Sequence, residues 1–211
     1  MLSNTDDKYF QKAHQITTIS NYKKTHVGCV AVYQGQVIGL GCNCNKTHPA
    51  QKFYNKYMNI LVCGANGQLG RELRSLAPVS VHRYIFSDIA ASDAGETLPL
   101  DICDREGVRK ALAANDIDIL INCAAFTDVE GAEDRPDLAE RLNGYAPAVL
   151  AEAVKERGGL LVHISTDYVF GMDSGNRPLA EESCGSPCGV YGLSKLHGEQ
   201  AVTASGCRHL I

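Results

Sequence analysis

Two short segments of this chain hold side chains whose types and spacing suit proton and hydride chemistry. In Tyr191-Gly-Leu-Ser-Lys195 a phenol and an ammonium stand four residues apart, a spacing that puts both on one face of a helix. A phenol titrates near ~10, and an adjacent cation stabilises phenolate and lowers that value. Such a pair can protonate a carbonyl oxygen while hydride reaches the carbon, and the ammonium can also hold the ribose hydroxyls of a nicotinamide nucleotide. The spacing alone is weak support, because a chain with nine Tyr meets it readily by chance. The second segment, "HISTDYVF" at residues 163–170, strengthens it. Here an apolar run ends in Ser165, Thr166, Asp167 and Tyr168. Polar groups at the carboxyl edge of a parallel sheet lie where open α/β folds take ligands. A Thr or Ser hydroxyl there can orient a carbonyl beside the phenol. Capping of a turn by Thr166 and Asp167 is the alternative.

A glycine loop supplies the expected partner of that pair. Gly64-Ala-Asn-Gly67-Gln-Leu-Gly70 follows an apolar run and precedes a helical pattern. Glycine there permits positive φ and a close backbone approach to a pyrophosphate. A helix starting near Gln68 would aim its free N–H groups at the phosphates. Asp88, 18 residues beyond Gly70, is placed to bond adenosine ribose hydroxyls. In that position it would repel a 2′-phosphate and favour NADH. Capping of a turn is again the alternative for Asp88.

The elements that must carry these groups alternate. From Asn59 onward the pattern predicts strands in "NILVCGA", "RYIFSDI", "IDILINCAA", "LLVHISTDYVF" and "CRHLI". Helices are predicted in "QLGRELRSLA", "DREGVRKALAAN", "PDLAERLNGYAPAVLAEAVKERG" and "VYGLSKLHGEQAVTAS". Continuous apolar strands alternating with helices imply an α/β fold, a Rossmann-like doubly wound parallel sheet covered on both faces. Ahead of it, residues 6–20 suit a helix. "HVGCVAVYQGQVIGLGCN" suits a β-hairpin about Gln34-Gly35, and residues 45–57 a polar connector.

Composition narrows the class. The chain of 211 residues is 45% apolar, with a net charge of −4, as a globular domain with a buried core requires. The first 57 residues hold seven Lys and two Asp but no Arg or Glu, so the acidic surplus falls in the remainder. That asymmetry suggests two pieces with separate histories. The lysines read as a solvated face, and no nucleic-acid partner is expected. Nine cysteines without a C-x-x-C pair read as reduced thiols serving as small core residues, with no metal site. No signal peptide or membrane span is evident, which points to the cytoplasm.

The stretches "MNILVCGANGQLG", "DILINCAAFTDVEGAE", "VHISTDYVF" and "PCGVYGLSKLHGE" resemble the dTDP-4-dehydrorhamnose reductases, a branch of the extended short-chain dehydrogenase/reductases. The glycine loop and Y-x-x-x-K are shared across that superfamily; "STDYVF" with "NCAAFTDVEGAE" is specific to the branch. The resemblance covers residues 58–211. It implies reduction by NADPH or NADH of the 4-keto group of dTDP-4-dehydro-L-rhamnose to dTDP-L-rhamnose. It assigns catalysis to Thr166, Tyr191 and Lys195, and substrate contact to Thr166, Asp167 and Tyr168. Cofactor contact would fall to Gly64, Gly67, Gln68, Leu69, Gly70, Asp88, Asp101, Ile102, Ala125, Phe126, Thr127, Tyr191 and Lys195. A homodimer is the oligomeric expectation. An epimerase or dehydratase of the same superfamily, or a non-catalytic dinucleotide-binding protein, would share the loop and the Tyr/Lys pair. By the same resemblance the chain stops within the sixth strand, so most of a substrate domain, and with it full activity, is expected to be missing.

Residues 1–57 resemble the opening of cytidine/deoxycytidylate deaminases, chiefly in "HVGCVAVYQGQVIGLGCNCNKTHP". The H-x-E and P-C-x-x-C segments that hold zinc and its proton-shuttling Glu in that family do not occur, and the first Glu is Glu72. A non-catalytic fragment joined ahead of Met58 is the expectation.

Overall fold

The computed structural model describes residues 28–33, 36–42, 57–90, 95–171 and 185–211. The helix expected over 6–20 and nearly all of the connector lie outside them. The chain divides into two compact units, Met1–Lys56 and Tyr57–Ile211.

In the first unit, β1 (Gly28–Tyr33) and β2 (Gln36–Cys42) pair antiparallel. Tyr33 stands opposite Gln36, so two residues connect the strands, as the Gln34-Gly35 signal requires. The register shifts between Ala31 and Val32, a β-bulge or irregularity.

The second unit is a six-stranded parallel sheet. Its strands are β3 (Asn59–Cys63), β4 (Arg83–Asp88), β5 (Leu98–Pro99), β6 (Ile119–Asn122), β7 (Leu160–His163) and β8 (Arg208–Leu210). They lie in the order β5-β4-β3-β6-β7-β8, the doubly wound order in which the chain runs outward from the centre in both directions. The helices are α1 (Gln68–Leu76), α2 (Arg105–Ala114), α3 (Val129–Asp134), α4 (Pro136–Ala139), α5 (Ala146–Arg157) and α6 (Val190–Ser205).

Alternation along β3 shows why its apolar run is continuous. Ile60 and Val62 pack with Phe86, Ala65 and Leu73 of α1 on one face. Leu61 and Cys63 pack with Leu112 of α2, Val149 and Leu150 of α5 and Val202 of α6 on the other. A strand buried on both sides has no solvent face to leave polar. Each buried Leu or Val contributes about 1.5–3 kcal/mol relative to exposure.

Helix ends follow local chemistry. Asp104 and Asp128 begin α2 and α3, their carboxylates accepting the N–H groups of Glu106 and Gly131. Gly158 and Gly206, at φ 67° and 68°, stop α5 and α6 in the left-handed conformation a side chain would resist.

Four elements differ from expectation. The strand read through "LLVHISTDYVF" ends at His163, because the Thr166 hydroxyl accepts the Tyr168 N–H and turns Asp167–Phe170 into a 3₁₀ segment. The long helix over 136–158 is broken by a π turn at Glu140–Tyr145. The short β5 and α3 were not anticipated; Pro99 sits on the edge strand, where a missing donor costs little.

Candidate functional site

β3 and β6 are neighbours whose onward connections leave in opposite directions, and a crevice opens beyond their carboxyl ends. A cavity of about 720 Å³ lies there, within the range of small-molecule sites. Of the residues expected at a cofactor, Gly64, Gly67, Gln68, Leu69, Asp88, Asp101, Ile102, Ala125 and Thr127 line it. Glu72, Ile89, Leu100, Cys123, Ala124 and Leu142 line it as well and were missed. Glu72 apart, these are apolar positions, and none of the six carries a spacing signal of its own.

The glycines act by close approach. Gly64 has φ 77°, and a Cβ there would fall 2.5 Å from the Ala124 nitrogen. A Cβ on Gly70 would fall 2.4 Å from the Gly64 carbonyl oxygen. Gly70 therefore serves helix–strand packing and does not line the cavity. Gly67 precedes the first residue of α1 with no side-chain cap, leaving the N–H groups of the first turn available to an anion.

Asp88 is placed at the crevice, but its oxygens are already engaged. One accepts the Asn66 N–H at 2.9 Å and the other the Ile89 N–H at 2.8 Å. The carboxylate thus fastens the glycine loop to the end of β4, so the turn-holding alternative is realised beside any ribose contact. Asp101 likewise accepts the Cys103 N–H and stands 3.5 Å from the Arg141 guanidinium.

Phe126 does not line the cavity. Its ring is buried with Ala132 and Ala139, and the Arg135 guanidinium lies 5.0 Å from its centroid. Its backbone N–H and carbonyl are both taken by the Asn143 side chain, at 2.8 and 3.0 Å. Asn143 also donates to Ser194 Oγ at 3.1 Å. One buried amide in the π turn therefore ties the β6 exit to α6. Sequence reading passed over Asn143, because Arg141-Leu-Asn-Gly-Tyr145 gives no sign that its amide is buried.

Tyr191 and Lys195 are on α6, as expected, and do not border the cavity described above. The Tyr191 ring meets the Tyr168 ring edge-on at 5.5 Å, which brings the phenol against the turn that carries Thr166 and Asp167. The Thr166 hydroxyl accepts from Tyr168 N–H and donates to Asp167 Oδ1, both at 3.3 Å. Lys195 is 2% exposed, and its Nζ donates to the Ile164 carbonyl. Burial pulls its pKa down to about 8, opposed by the nearby Glu199 carboxylate.

Beneath Lys195 lies an imidazole that sequence reading did not single out. Asn122 Oδ1 accepts the Ala124 N–H, which leaves Asn122 Nδ2 to donate to His163 Nδ1 at 3.1 Å. The proton of a neutral His163 must then sit on Nε2, which is buried without a partner. Burial, with the Lys195 cation second, pushes the His163 pKa down to about 4.

Cys63 and Cys123 are free thiols, pushed up to about 12 and about 11 by burial. Their raised values favour the thiol form; Cys63 sits in the core, whereas Cys123 is half-buried and borders the crevice. Among the described residues no group of three or more His, Cys, Asp or Glu could hold a metal ion. Nor, among them, is any helix long and apolar enough to cross a membrane.

The dTDP-4-dehydrorhamnose reductase of Salmonella typhimurium is 40% identical over 155 residues, covering 73% of this chain and 50% of its own length. The Streptomyces griseus protein of that name is 43% identical over 142 residues, covering 67% and 44%. Among solved structures, a Clostridium acetobutylicum dTDP-4-dehydrorhamnose reductase superposes with TM-score 0.65 at 36% identity, covering 72% of this chain and 51% of that one. The Bacillus anthracis reductase, solved in complex with NADP, gives 0.64 at 33% identity, covering 73% and 52%. The chain spans about half the length of the curated relatives it matches. The family described as the RmlD substrate binding domain matches residues 58–211, and the chain belongs to that family.

Proposed function

We propose that residues 58–211 form the nucleotide-binding and acid–base part of an oxidoreductase that uses NADPH or NADH to reduce the 4-keto group of dTDP-4-dehydro-L-rhamnose to dTDP-L-rhamnose. The observation that carries this is the edge-on contact of Tyr191 with Tyr168, with Lys195 buried behind it. It joins a proton donor to a hydroxyl-bearing turn at the ligand-binding edge of the sheet. The substrate comes from the reductases that share the family.

The crevice suits a dinucleotide. Gly64 and Gly67 leave the backbone bare at its floor, and the first turn of α1 offers N–H groups to a pyrophosphate. Asp88 and Asp101 border the part that would take the adenosine, and their negative charge would favour a free 2′-hydroxyl over a 2′-phosphate. Ala125 and Thr127 continue the lining beyond β6. A bound reduced nicotinamide would supply the hydride.

The remaining work falls to this chain's side chains. Thr166 would orient the ketone by donating its hydroxyl, exchanging its bond to Asp167 for one to substrate. Asp167 and Tyr168 would border the sugar. As the carbonyl carbon gains hydride, its oxygen would take the Tyr191 proton, giving the alcohol and a phenolate that the Lys195 ammonium stabilises. Lys195 would also hold the nicotinamide ribose hydroxyls.

This reading assigns the chemistry to residues 58–211 and none of it to residues 1–57. Their likeness to a deaminase opening is a reading of sequence alone, and they contain no Glu to shuttle a proton. A cytoplasmic setting fits the five described cysteines, all free. The partner is the dTDP-linked sugar, with neither nucleic acid nor membrane, and a homodimer is the assembly to test by light scattering.

The test is oxidation of NADPH or NADH in the presence of dTDP-4-dehydro-L-rhamnose. Replacing Tyr191 by Phe is expected to lower turnover about 10²- to 10⁴-fold while leaving cofactor affinity intact. Undiminished turnover in Tyr191→Phe would remove it as the proton donor. Cofactor binding without turnover in the parent chain would leave a binding protein in place of an enzyme.

A further inference from the structure

Glu199 continues a line already drawn along α6. Tyr191, Lys195 and Glu199 fall at i, i+4 and i+8 within Val190–Ser205, on one side of the helix. The Glu199 carboxylate accepts a hydrogen bond from Ser165 Oγ. Ser165 follows Ile164, whose carbonyl takes Lys195 Nζ, and precedes Thr166. Helix α6 and the exit of β7 are therefore joined at two consecutive residues, once through an ammonium and once through a carboxylate.

A cation taken out of water must be met by opposite charge or lose its proton. The titratable groups on the elements around this part of α6 divide clearly. His163 of β7 is neutral and cannot serve. Glu133 of α3 accepts the Val190 N–H at the start of the helix. Glu140 of the π turn is paired with His197. Asp167 of the 3₁₀ segment accepts the Thr166 hydroxyl, and Glu199 remains, one turn beyond Lys195.

We propose that Glu199 is a positioning residue, the counter-charge that keeps Lys195 an ammonium while its bond to Ser165 fixes the strand end that presents Thr166. The proposal rests on the oxidoreductase reading for its purpose, though not for its test. It gives Ser165 a role distinct from that of Thr166: the first hydroxyl faces the helix, and the second is left for the ligand.

The experiment is an NMR titration of the ¹³C-labelled Lys195 side chain in the full chain, assigned with Lys195→Arg. Loss of the Glu199 charge withdraws the interaction that raises the Lys195 midpoint, so the midpoint must fall. Glu199→Gln, which keeps an acceptor for Ser165, is expected to lower it by about one pH unit. Glu199→Asp, which keeps the charge but draws it back, should fall between that and the parent. Where the Gln variant does not fold, the Asp variant decides. An unmoved midpoint in the folded variant overturns the proposal, because a group that merely packs or bonds Ser165 would not alter the titration. A shifted midpoint in a chain that turns over no keto sugar upholds the electrostatic role and overturns the oxidoreductase reading instead.

Discussion

Gly70 shows how narrow the tolerance is around a single atom. Its missing Cβ is the space that the Gly64 carbonyl and the Ala65 backbone occupy, so α1 can start close against β3. Gly70→Ala is expected to destabilise the fold by about 1–3 kcal/mol, as overpacking does, and to weaken NADPH binding by pushing the α1 N-terminus off the crevice floor. Urea unfolding and a fluorescence titration would check the two effects. Retained affinity with full stability would show that the loop can shift. The residue scale is also where sequence reading succeeded in part. Glycine spacing and the Tyr191/Lys195 interval were legible because each is a constraint within a few residues, and the structure puts Gly64 and Gly67 at the crevice and Tyr191 and Lys195 together on α6. Asn143 and His163 were not legible, since their roles depend on partners far apart in sequence: Phe126 and Ser194 for one, Asn122 for the other.

At the scale of elements, β7 links stability to pH. His163 lies 2% exposed at its carboxyl end, with a folded pKa of about 4 against an ordinary 6.5. Between those values the unfolded chain binds the extra proton and the folded chain does not. Stability attributable to this group is thus complete above about pH 6.5 and declines as pH falls toward about 4, by about 3 kcal/mol in all. Replacing His163 by Gln should flatten that part of the pH–stability curve measured by urea unfolding. A curve of unchanged slope would show that the imidazole reaches solvent or a counter-charge. The strand–helix alternation that carries β7 was evident from apolar runs. Its true end was not, because a Thr hydroxyl capping the next turn looks, in sequence, like one more β-branched strand residue.

Taken whole, the chain consists of two units that meet different demands. Every described residue lining the crevice belongs to Tyr57–Ile211. A protein beginning at Met58 is therefore expected to bind NADPH as the full chain does, measured by calorimetry. A loss of affinity on deletion would give residues 1–57 a part in the site. The doubly wound sheet was inferable because five of its six strands were readable as apolar runs alternating with helices; the π turn at Glu140–Tyr145 was not, because one extra residue within a helical run leaves no mark in the pattern.

That turn has a consequence for how the molecule can change. A π turn holds one residue more than the α-helical path needs, and each residue advances a helix by about 100°. Upstream of it, Ala139 is in phase with the Phe126 pocket; downstream, Val149, Leu150 and Val154 are in phase with the sheet. Loss of a single residue between 140 and 145 would restore a regular coil and rotate one of those two seams out of alignment. A change in length here would therefore break either the packing around Phe126 or the core.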